Sequence, residues 1–132
     1  MSELSNFLMK NSISDLTREV ELTGRLEGMK FKVKVMTSRE YENYQKICQK
    51  IVPGKKEFSF DGAKFRLLVL KNHVIDPDFT NAEMLSQAGF TTPEEFISDR
   101  LLVGEQALLQ DAILSLSGFD SDLKSDIDEA KN

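Results

Sequence analysis

Side chains that do covalent or metal chemistry are scarce in this sequence. Its 132 residues include one histidine, His73, one cysteine, Cys48, and no tryptophan. One cysteine cannot close an internal disulfide, which agrees with a reducing cytoplasm. One Cys and one His also fall short of the four ligands of a structural zinc site. A Ser-His-Asp or Cys-His device would need His73 together with Cys48 or a serine, and no spacing supports it. A lone histidine beside an apolar run reads as a hydrogen-bonded core or boundary residue, and Cys48 on an apolar stripe reads as a small hydrophobe. Long apolar runs are missing as well: the longest, Leu67 to Leu70, is far too short to span a bilayer, so no membrane partner is expected. The opening residues Met1 to Asn6 lack the basic start, apolar stretch and small-residue cleavage site of a secretory signal. The chain is therefore expected to stay where it is made.

What is present is an ordinary globular composition, 40% hydrophobic and 30% charged. The length fits one domain, 1–132, able to bury roughly two thirds of the surface an unfolded chain exposes. The net charge of −5 is unevenly spread: residues 1–71 carry 14 Lys/Arg against 9 Asp/Glu, whereas residues 72–132 carry 3 against 13. The acidic half disfavours nucleic acid as a partner. The asymmetry would also orient copies of the chain basic half to acidic half, a route to self-association. The plainer reading is that both halves are simply solvated.

Periodicity gives an α+β chain, mainly helical with an N-terminal antiparallel β-hairpin. Leu4, Phe7 and Leu8 recur at helical spacing before Asn11-Ser12, which predicts a short helix or docking arm. From Leu16 to Met36 the period becomes two. A tight turn at Glu27-Gly28 would pair Leu26 with Met29, Gly24 with Phe31, Leu22 with Val33 and Val20 with Val35, all on one face. Lys30, Lys32 and Lys34 alternate on the other face, a pattern that resists edge-to-edge aggregation. Ser38 reads as the cap of an amphipathic helix through Tyr41, Tyr44, Cys48 and Ile51, stopped before Pro53-Gly54 and the basic Lys55-Lys56 loop. Asp61 would cap a buried helix carrying Phe65 and Leu67 to Leu70, with Val74 and Ile75 beyond. A rival reading makes Phe58 and Phe60 one strand, Asp61-Gly62 a turn, and Phe65 to Leu70 a second strand. Further on, Asn81 and Gly89 bracket one helix, and Thr92-Pro93-Glu94-Glu95 opens another. Gly104 then separates that helix from a stripe of Leu108, Leu109, Ala112, Ile113 and Leu116. Residues 120–132 are acidic, with Leu123, Ile127 and Ala130 at four- and three-residue steps, a weak helix or a frayed segment.

Motifs that would bring chemistry fail on inspection. Asp120-Ser121-Asp122 starts like a calcium loop, but Ser125 stands where glycine is needed and Lys131 where a bidentate glutamate belongs. Gly54-Lys55 lacks the earlier glycine of a phosphate loop, since Gln49 is there. A helix-turn-helix through Pro93 to Leu116 would present Glu105 and Asp111 and no cation to a phosphate backbone. The Glu94-Glu95 pair is explained by the helix dipole. No catalytic residue, metal ligand or cofactor is therefore assigned, and the chain is expected not to be an enzyme.

The order Thr92-Pro93-Glu94-Glu95, Leu101-Leu102-Val103-Gly104-Glu105 and Leu116-Ser117-Gly118-Phe119 resembles the XkdN-like tail assembly chaperones of phages and phage-like elements. Phe7 to Asn11, a strand pair ahead of a Tyr- and Cys-containing helix, and Asp76-Pro77-Asp78-Phe79 extend the resemblance over most of the chain. The Glu27-Gly28 turn is shorter than the family pattern. The resemblance implies a protein that coats the tape measure protein and helps recruit the tail tube protein in the host cytoplasm, and that is absent from the mature particle. The alternative is a structural or adaptor subunit of the tail. It also implies a longer product made by frameshifting, for which the codons of Ala130, Lys131 and Asn132 would supply a run of adenines. A protein that holds another needs exposed apolar surface, for which Leu4, Phe7, Leu8, Phe79 and Phe90 are the candidates. The ordinary alternative is that these five are core.

Overall fold

Capping chemistry written into the sequence sets most of the element starts. In the computed structural model, which describes residues 2–51, 54 and 58–119, Ser2 caps α1 (Glu3–Lys10). Two strands follow, β1 (Thr17–Glu21) and β2 (Lys30–Lys34), and then α2 (Ser38–Cys48). A short hairpin of β3 (Gln49–Ile51) and β4 (Phe58–Phe60) leads into α3 (Gly62–His73), whose end runs directly into β5 (Val74–Asp76). The rest is α4 (Ala82–Ala88), α5 (Pro93–Arg100) and α6 (Val103–Leu116). The side chains of Asp61, Asn81 and Thr92 each accept a backbone N–H three residues on, and Gly89 closes α4 in the left-handed conformation.

The fold is thus α+β and mainly helical, with an N-terminal strand pair. β2 lies between β1 and β5 in one antiparallel sheet, while β3 and β4 form a separate ribbon. α3 is the central element. Its Phe65, Val69 and Leu70 pack with Tyr44 and Cys48 of α2, Leu109 and Ile113 of α6, Ile97 of α5, and Val33 and Val74 of the sheet. A helix apolar on most of its sides has to be surrounded, and α3 is.

Several expectations are corrected. The observed hairpin pairs Val20 with Phe31 and Glu21 with Lys30, four residues out of the expected register. The chain leaves the ladder after Glu21 and makes a one-turn 3-10 helix, Gly24–Leu26, with Gly24 and Gly28 both at φ 87°. An even shift keeps the same residues on the inner face, so alternation fixes the face and leaves the register to the loop. The tight Glu27-Gly28 turn is therefore replaced by a longer connection in which Leu22 turns into the core, 3% exposed.

Thr37, not Ser38, caps α2, in a reciprocal capping box with Glu40. That helix stops at Cys48, so Ile51 sits in β3 and is 74% exposed. Of the two readings around Asp61, the helical one holds for Phe65 to Leu70, although Phe58–Phe60 is also a strand, paired to β3. Val74 and Ile75 belong to β5, and Gly104 lies inside α6. Residues 120–132 and the Lys55-Lys56 loop lie outside the described residues.

Candidate functional site

Three buried polar groups, His73, Glu105 and Gln106, link elements of the body by hydrogen bonds. His73 is fully buried, its Nδ1 3.2 Å from the Val35 carbonyl and its Nε2 2.9 Å from the Tyr44 hydroxyl. A carbonyl only accepts, so Nδ1–H donates to it; Glu40 Oε2 stands 3.7 Å from Nε2, and in the neutral ring that burial favours Nε2 accepts the Tyr44 proton. Burial pushes the imidazole pKa below its usual range, against the pull of Glu40. Burial, reinforced by the Glu40 charge, raises Tyr44 to about 12. Glu40 stays below the ordinary carboxylate range: burial would raise it, but the Thr37 amide and hydroxyl both donate to its Oε1.

The second group is Glu105, at the start of α6. It accepts from an Arg25 guanidinium N–H at 2.6 Å and from the Leu102 amide at 2.8 Å. The Arg25 bond comes first among the causes that hold its carboxyl low. Arg25 also donates to the Arg100 carbonyl at 2.8 Å, so the hairpin connection is stapled to the α5–α6 junction. Gln106 is the third. Its amide nitrogen donates to the Leu101 carbonyl and to the Ile97 carbonyl, which also accepts the Leu101 N–H at the end of α5, and its oxygen accepts from Arg66 of α3. The pairs Arg25–Glu105, Tyr44–His73 and Arg66–Gln106 were not legible, because their members are far apart in sequence.

The candidate contact residues divide sharply. Leu4, Phe7 and Leu8 are 66%, 61% and 63% exposed, and α1 contains no buried residue. Spaced i, i+3, i+4, they form one uncovered apolar stripe. Phe79, by contrast, is core: it is 1% exposed and its ring lies 6.0 Å from that of Phe96. Its place as a surface residue is withdrawn, because the turn after Asp76-Pro77-Asp78 points the ring inward. Phe90 is half covered, edge-on to Phe96 at 5.8 Å and under the Arg100 guanidinium at 5.2 Å. Ala130, Lys131 and Asn132 lie outside the described residues. Cys48 is buried and its thiol pKa is pushed up by that burial, the state of a packing residue.

Among the described residues, no three His, Cys, Asp or Glu side chains gather where a metal ion could sit, and no helix is long and apolar enough to cross a membrane. The fold and surface define a small α+β body, tied together by buried polar pairs, with the apolar stripe of α1 left exposed. A family model described as phage XkdN-like tail assembly chaperone protein, TAC, matches residues 4–131. The chain belongs to that family of tail assembly chaperones, which implies a non-enzymatic role. The crystal structure of the protein YqbN is similar, with a TM-score of 0.65 and 21% identity over 91% of this chain and 99% of that one. At that identity the likeness speaks for the fold. No curated protein matches the chain.

Proposed function

We propose that this chaperone holds the tape measure protein during tail assembly through the apolar stripe of α1, and helps bring the tail tube protein to it. It acts in the host cytoplasm and is absent from the mature particle. Family membership supports the assembly role. The observation that carries the mode of action is that Leu4, Phe7 and Leu8 present one apolar stripe with none of them buried. An exposed amphipathic helix is suited to laying its apolar face against another apolar surface. The neutral buried histidine and the stapled helix junction support a body that keeps its shape while α1 makes the contact.

Co-expression with the tape measure protein tests this reading. The parent chain is expected to raise the soluble fraction of the tape measure protein and to be missing from purified particles. The variant Leu4→Ser/Phe7→Ser/Leu8→Ser is expected to stay folded and lose that effect. A chain that remains in purified particles would instead be a structural or adaptor subunit of the tail.

A further inference from the structure

Where the β1–β2 connection meets the α5–α6 junction, an open groove of about 330 Å³ has an apolar floor that includes Leu26, Met29, Phe96 and Leu101. Its rim carries Arg25, Lys30 and Arg100, and among the described residues no acidic side chain lines it. Arg25 is committed to Glu105 at 2.6 Å, whereas Lys30–Glu19 at 3.7 Å and Arg100–Asp99 at 3.4 Å are exposed pairs. Such pairs contribute little in water and exchange readily. The groove therefore suits an apolar segment flanked by carboxylates.

The geometry points to residues 120–132 of a second copy as the occupant. That stretch spaces Leu123, Ile127 and Ala130 at four- and three-residue steps among Asp120, Asp122, Asp126, Asp128 and Glu129. An apolar stripe with acidic flanks matches an apolar floor with a cationic rim.

Reach decides between the chain's own segment and another copy's. The groove borders the first turn of α6, where Arg25 meets Glu105, and α6 runs away from it for 14 residues. That is about 20 Å at the α-helical rise. β2 measures the same separation: its first residue, Lys30, lines the groove, and Met36 just past its end donates its N–H to Ser117 Oγ at 2.9 Å. Leu123 lies four residues beyond Phe119, at most about 14 Å away even fully extended. A chain can bring its own Ile127 and Ala130 to its groove but not Leu123 along with them, whereas a neighbour can seat all three. The contact joins two different surfaces, so repeated copies form a ring or an open row. It leaves α1 free and stands apart from the tape measure reading.

Sedimentation velocity on the full chain tests this. Average mass is expected to rise with protein concentration at low salt and to fall towards the monomer at high salt, as screening weakens the rim contacts. Lys30→Glu/Arg100→Glu and, separately, Leu123→Ser/Ile127→Ser are expected to remain monomeric, with circular dichroism unchanged; Arg25 is left alone because it holds Glu105. A labelled peptide of residues 120–132 should bind the parent at least tenfold more tightly than the Lys30→Glu/Arg100→Glu protein. The proposal is overturned if the parent stays monomeric throughout, if either variant assembles as the parent does, or if the peptide does not distinguish the two. Assembly lost only in Leu4→Ser/Phe7→Ser/Leu8→Ser would overturn it too, by giving the groove to α1.

Discussion

α1 and α3 are both helices built around leucine and phenylalanine, yet one has no buried residue and the other is the centre of the core. α3 buries Phe65, Val69, Leu70 and His73, whereas α1 buries nothing. Apolar content is therefore no guide to place: a side chain becomes core only when other elements close over it. In α3 those elements are α2, α5, α6 and the sheet; in α1 the stripe of Leu4, Phe7 and Leu8 is left to whatever the chain meets.

The contrast can be broken by mutation, and the largest effect belongs to α3. Leu70→Ala, at a fully buried position, should cost about 2–5 kcal/mol in urea unfolding, through lost transfer energy and the cavity left behind. Next comes Tyr44→Phe, which strips the His73 Nε2 of its buried donor and should cost about 1–3 kcal/mol in the same assay. Arg25→Ala leaves the Glu105 carboxylate without its partner; because the Arg25 side chain is 49% exposed, water offsets much of that loss, and about 1–2 kcal/mol is expected. At the other end of the scale, Leu4→Ser/Phe7→Ser/Leu8→Ser should shift unfolding by about 0.5 kcal/mol or less, since no packing is lost. A large destabilisation there would mean that α1 is held by the body, and the comparison would fail.

Acid sharpens the same comparison. His73 is held neutral with its pKa below the ordinary 6.5, so below that pH the unfolded chain binds a proton that the native chain refuses. More protons in the unfolded state means that stability rises with pH, and it should decline as pH falls from about 6.5. Glu40 and Glu105 titrate low in the fold. Their contribution is present above their unfolded value of 4.5 and is lost only as pH falls below it. Unfolding free energies measured from pH 7 to 5 should slope for the parent and flatten for His73→Phe, whatever that variant's absolute stability.

Element starts were legible because capping is local: Asp61, Asn81 and Thr92 each serve an amide three residues away, and Gly89 closes its own helix. The α1 stripe could be read too, and it stands at the surface as its spacing allowed. The hairpin register could not be read, because a period of two looks the same after any even shift and the choice fell to the Gly24–Leu26 turn. Nor could Phe79 be told from Phe7, since which phenylalanine is covered depends on elements remote in sequence. The Arg25–Glu105 and Gln106 contacts were hidden for the same reason.

By itself, then, the sequence determined the α+β class, the caps of α3, α4 and α5, the charge asymmetry and the scarcity of histidine and cysteine, all of which are properties of composition or of near neighbours. Tertiary structure alone decided which apolar residues found cover, which histidine tautomer is held, and where cations came to rim an apolar groove. Those outcomes rest on long-range packing, in which each surface is completed by residues that local spacing does not connect.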